Sequence, residues 1–135
     1  MKYSAILFGV LLLVVLTLSL ILLAILLGAQ TVTGPQFLTV TSLWIAVGLA
    51  TARNAEEAGI LHGLLAGFLG ALLVALSLPS VAASWPYPLL AQLAEKPLFL
   101  SALLGGFWGS VGGMFWDIVR VIKAKRARRQ AGEQA

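Results

Sequence analysis

Long apolar runs alternate with short polar clusters along the chain, and four of the runs have the length and pattern of bilayer-crossing helices. Ala5 to Gly28 is interrupted only by Thr17 and Ser19, and about 24 residues at 1.5 Å each exceed the ~30 Å hydrocarbon thickness of a bilayer. Lys2 before this run invites comparison with a secretory signal. The apolar stretch is longer than the ~7–15 residues of a signal core and no A-x-A site follows, which favours a retained span. GAQTVTGPQ then breaks the pattern at Gly34-Pro35, a turn signal without charge. Phe37 to Ala52 forms a shorter run containing Thr39, Thr41 and Ser42, so its ends are expected to extend into the flanking polar residues.

The charged segment ARNAEEAG brings Arg53, Glu56 and Glu57 together before Ile60 to Leu78, the third run, which Pro79 is expected to stop. Residues 80–97 are too proline-broken to span. Trp85 and Tyr87 there suit headgroup depth, and LLAQLAE reads as a short interfacial turn. Leu98 to Ile122 is the fourth run. The pattern predicts an all-α integral membrane four-helix bundle with spans at about 4–28, 36–53, 59–79 and 98–122, followed by a polar basic tail at 123–135.

Composition agrees with this reading. Hydrophobic residues make up 60% and charged residues 10% of the 135 positions, against ~45–50% and ~25% in soluble domains. The net charge of +4 would suggest nucleic acid if it were spread over a folded surface, but six of the nine basic residues lie between Arg120 and Arg129. Counting lysines and arginines near span ends places Lys2, Arg53 and this cluster on the cytoplasmic side, with Lys96 alone outside. Both termini are therefore expected in the cytoplasm. Lys123, Lys125, Arg126, Arg128 and Arg129, placed directly after a span, are expected to touch anionic lipid rather than nucleic acid.

Glycine is distributed unevenly. At 100° per residue, Gly105, Gly106, Gly109, Gly112 and Gly113 fall within about a third of the fourth helix's circumference, opposite Phe107, Trp108, Met114 and Phe115. The third run repeats the pattern with Gly59, Gly63, Gly67 and Gly70, joined by Ala66 and Ser77, and the second has a weaker version in Thr39, Ser42, Ala46, Ala50 and Arg53. Apolar side chains gain nothing by leaving lipid for one another, so helices in bilayers associate by close packing where small residues allow it. The third and fourth helices are expected to meet small face to small face, with the second beside them and the nearly glycine-free first at the periphery. A narrow pore lined by glycine is the competing reading. LLAGFLG (64–70) and LLGGFWG (103–109) agree at five of seven positions, which could mark an inverted repeat. The likeness does not extend into the flanks, and a chain rich in Leu, Gly and Phe produces such matches by chance.

Few groups could do chemistry. Without cysteine there is no disulfide, thiolate metal site or cysteine nucleophile. One histidine and the lack of HExxH, GxSxG or GxxxxGK[ST] leave no triad, metal set or phosphate loop, so no enzyme activity, metal or cofactor is expected. Arg53, Glu57, His62, Asp117 and Arg120 gather with Glu56 near the cytoplasmic end and form a candidate polar or ion site, Asp117 being spaced to pair with Arg120. A proton or cation relay would need partners at mid-membrane depth, and the sequence offers none. A polar ring fixing helix register is the simpler reading.

VGLATARNAEEAGILHGLLAGFLGALL (47–73), with Gly59-Ile60-Leu61-His62-Gly63, Gly105-Gly106 and Gly112-Gly113-Met114, resembles the YrzE-like family of small four-span bacterial membrane proteins. The likeness covers most of the chain in layout and some twenty residues in detail. It departs at Glu56-Glu57, where that family is usually more basic and glycine-rich. The resemblance implies the four-span architecture and carries no activity.

Taken together, these features predict a non-enzymatic protein of the cell membrane that works by association, as a homo-oligomer or as an accessory subunit of a membrane complex. Small-residue surface on the second span, beyond the needs of one bundle, motivates the homo-oligomer. A small channel or transporter for ions or solutes is the alternative, and a lysis-type pore former a third.

Overall fold

The computed structural model describes residues 1–134 and contains six helices and, among those residues, no strand. They are α1 (Tyr3–Leu26), α2 (Gly34–Thr41), α3 (Trp44–Ala55), α4 (Gly59–Ser84), α5 (Pro88–Ala94) and α6 (Leu98–Gln134). Four stretches are long and apolar enough to cross a membrane: α1, α2 and α3 taken together, α4, and α6. The last residue of the expected 123–135 tail, Ala135, lies outside the described residues.

The second span is one rod with a tightened joint. Thr33 opens it with a capping box: its hydroxyl accepts from the Gln36 N–H at 3.3 Å, and Gln36 Oε1 accepts from the Thr33 N–H at 3.0 Å. At Ser42-Leu43 the backbone stays helical in dihedral angle, but Leu43 N, Ile45 N and Ala46 N donate to carbonyls three residues back, at 3.0–3.1 Å. The hydroxyls of Thr39, Thr41 and Ser42 all return to carbonyls of the preceding turn. That competition for carbonyl oxygens accounts for the local tightening.

Two helices outrun their expected ends. α4 passes through Pro79 to Ser84 rather than stopping there. A proline removes one N–H donor from the ladder, whereas ending the helix would leave several backbone groups unpaired in apolar surroundings. Ser84 and the Trp85 N–H close the last turn on Ser80 and Val81. α6 continues from Leu98 beyond Ile122 through the basic segment, 37 residues in all, because Lys, Arg, Gln and Ala are strong helix formers. The LLAQLAE segment does turn helical, as α5.

α4 and α6 share the most extensive contact, α3 packs against both, and α1 lies on α4 and α3. Only 22% of the apolar window of α1 is buried, against 33–39% for the other three spans, so α1 is the peripheral one. Leu13, Trp44, Val47, Ala71, Val74, Leu78 and Leu90 form the main core, and Ile6, Val10 and Ala66 a smaller one.

Candidate functional site

Glycines of α4 and α6 meet backbone to backbone. A Cβ on Gly63 would collide with the Gly109 carbonyl, one on Gly67 with the Gly105 carbonyl, and one on Gly113 with the Gly59 carbonyl. The α6 glycines serve two neighbours, because Gly112 lies against Ile45 and Leu49 of α3, and Gly109 against Gly48. Two of the nine expected packing glycines sit differently. Gly70 faces Leu13 of α1, and Gly106 has its nearest neighbour at an ordinary 3.6 Å, from Phe68.

The second span turns a different face inward from the one its small residues predict. Trp44, Val47, Gly48, Thr51, Ala52 and Ala55 are buried, while Thr39, Ala46 and Arg53 are exposed and Ser42 and Ala50 half-buried. Gly48 fixes the choice, since only a residue without Cβ lets α3 approach the Gly109 backbone. Gly9 of α1 makes a further close contact, outside the glycine faces of the third and fourth spans, abutting Thr51 and Ala66. Its only sequence signal is that it is the one glycine in the interior of the first run.

At the end of the bundle where α1 begins, the polar residues are drawn together by the α3–α4 turn. Glu56 and Ala58 both take positive φ there, 62° and 36°. Asp117 of α6 caps α4 across the seam, its Oδ1 accepting from Gly59 N–H and its Oδ2 from Ile60 N–H, each at 3.2 Å. A carboxylate at a helix N-terminus satisfies orphan donors and opposes the positive end of the dipole. Arg120 holds that carboxylate at 3.2 Å and donates to the Glu56 carbonyl at 2.6 Å. The pairing inferred from the spacing of Asp117 and Arg120 is thus present, inside a network that the spacing does not reveal.

His62 is buried, and both ring nitrogens are engaged: Nε2 accepts from the Lys2 backbone N–H at 3.1 Å, and Nδ1 lies 3.0 Å from the Ala58 carbonyl. A backbone N–H can only donate and a carbonyl only accept, so these partners select the neutral ring protonated on Nδ1. The imidazole ties the start of α1 to the start of α4. Around it, the Met1 amino group pairs with Glu57 at 3.3 Å and Lys2 with Glu56 at 3.6 Å. Exposed pairs of this kind contribute about 0–1 kcal/mol, so the hydrogen bonds of His62 and Asp117 set the register.

Arg53 stands apart from this network. It edges a shallow groove on the outer side of α3, with Phe8, Asn54, Glu56 and Trp116, and the indole N–H of Trp116 is shielded without a hydrogen-bond partner among the described residues. Lys123 lies 5.7 Å from the Trp116 ring centroid, and Lys125, Arg126, Arg128 and Arg129 are exposed along the continuation of α6. No three His, Cys, Asp or Glu side chains converge among the described residues.

The opposite end of the bundle holds a feature without a motif. Residues of α1, α2, α4 and α5 line an apolar cavity of about 450 Å³, with Lys96 at its rim. Gln92 clasps α5 to the α1–α2 loop through two 2.8 Å hydrogen bonds with the Val32 backbone. Comparison of the chain with family models, curated proteins and solved structures finds no match.

Proposed function

We propose that this protein is a non-enzymatic multi-pass protein of the bacterial plasma membrane, with both termini cytoplasmic, that works by association with a second copy or with a larger membrane assembly. The observation that carries the reading is the division of its small residues. Most of the glycines of α4 and α6 are enclosed within the single chain, whereas the exposed Thr39 and Ala46, with the half-buried Ser42 and Ala50, leave a low ridge partly uncovered on the second span. Beside that ridge lies the Trp116 groove with its unpartnered N–H. In lipid, such a low surface is where another helix can come close. Backbone contact along the α4–α6 seam leaves no lumen between those helices, which favours association over conduction. The layout also fits the resemblance to YrzE-like proteins, and the basic end of α6 would lie along anionic headgroups.

Single cysteines at Ala46 and, as a lipid-facing control, at Leu22 of α1 test this in native membranes under mild oxidation. Ala46→Cys is expected to give disulfide-linked dimers, or a linked adduct of higher mass with a partner, while Leu22→Cys stays monomeric. Equal and weak linking at both positions would remove the proposal.

A further inference from the structure

We propose that the cavity beside α5 binds a long-chain fatty acid, with the hydrocarbon chain inside and the carboxylate at Lys96. The assignment is independent of the association reading and rests on shape, lining and charge. The walls are mainly apolar, with Leu20, Ile21 and Ala24 from α1, Val74 and Leu78 from α4 and Leu93 from α5, and their neutral polar members are hydroxyl residues and Gln36. A volume of about 450 Å³ falls within the ~300–1,000 Å³ of small-ligand sites. It holds about fifteen groups of water size at ~30 Å³ each, one hydrocarbon chain rather than the two of a phospholipid.

The distribution of polar groups orients the guest. Within the lining, the indole N–H of Trp44 already donates to Thr17 at 2.9 Å, and the Thr41 hydroxyl accepts from the indole N–H of Trp108, behind it, at 3.2 Å. Neither indole is therefore free for a polar head. At the rim, Lys96 is the one charged residue in the lining, and it makes no ion pair among the described residues. Its ammonium is held over the Phe37 ring, 4.7 Å from the centroid, which places the charge at the mouth. Glu95, its neighbour in sequence, is exposed and does not line the cavity. A cation at the mouth of a hydrocarbon-lined pocket without an acidic group matches an amphiphile with an anionic head.

The route in also points to lipid. The exposed members of the lining, Leu23 of α1, Leu27 and Thr31 of the α1–α2 connection and Gln36 and Val40 of α2, mark an opening sideways between these two helices. In a bilayer such an opening faces acyl chains, while α5 and the Gln92 clasp close the top.

The test uses the full chain with Trp85→Phe and Trp116→Phe, so that emission comes from Trp44 and Trp108, reconstituted in phosphatidylcholine nanodiscs. Dibromostearate should quench this emission saturably, and unlabelled stearate should compete. Lys96→Gln is expected to weaken the half-saturation roughly tenfold, the scale of one charge-assisted contact. Ala24→Phe and Ala75→Leu, which fill the cavity from opposite walls, should each abolish saturable quenching. Lys96→Gln sits at the rim and keeps the proposal falsifiable if a filled variant fails to fold. Quenching that rises linearly without saturation, or that is unchanged by Lys96→Gln, overturns the proposal. Competition by phosphatidylglycerol as strong as that by stearate overturns the single-chain assignment.

Discussion

Gly109 stands where three helices come closest, its backbone in contact with Gly63 of α4 and Gly48 of α3. A methyl group there would have to displace a main-chain carbonyl rather than a flexible side chain. Gly109→Ala is expected to lower stability by about 1–3 kcal/mol, the range for overpacking. Gly106→Ala, with its new Cβ at an ordinary 3.6 Å from Phe68, should change stability by less than about 0.5 kcal/mol. Unfolding in mild detergent, followed by far-ultraviolet ellipticity, measures both, and equal losses would contradict the seam. The glycine faces themselves are legible in the sequence because a helix has a fixed angular period. Which glycine meets which neighbour is not, since Gly70 and Gly105 look equivalent in the pattern yet face α1 and α4. Asp117 makes the same point. Its spacing announces Arg120, but nothing local announces that its oxygens cap a helix that begins 58 positions earlier.

At the scale of elements, the apolar runs set where helices exist but not where they stop. Pro79 is a strong stop signal in water, yet α4 continues five residues past it to Ser84. Pro79→Ala is therefore expected to leave the ellipticity at 222 nm unchanged and not to lower the melting temperature. A clear gain in helix content on substitution would show that the proline marks an end. The joint at Ser42-Leu43 was legible only as a cluster of hydroxyl residues. The inward face of the same span is the one that carries Gly48, not the one that carries Thr39, Ser42, Ala46 and Ala50. In a contact between backbones, the absence of one Cβ outweighs several merely small side chains.

For the whole molecule, the start of α1, the α3–α4 turn and Arg120 meet at one end, where His62, Asp117 and Glu56 join them. The positive charges of Lys2, Arg53 and the α6 extension gather at that end, and Lys96 lies at the other. A fluorescent protein fused after the last residue is expected to fluoresce in cells, while alkaline phosphatase fused there stays inactive and becomes active when inserted in the 85–88 loop. The reverse pattern would invert the proposed threading.

The sequence by itself determined the number of helices long and apolar enough to span a membrane, where they begin and the glycine faces of the third and fourth. Those properties depend on hydropathy and angular period, which are local sums along one chain. Only the tertiary structure decided the inward face of the second span, the capping of α4 by Asp117, the engagement of both His62 nitrogens and the cavity beside α5. Each of these depends on the distance between segments far apart in sequence, and that distance is fixed by how closely four helices can pack at once.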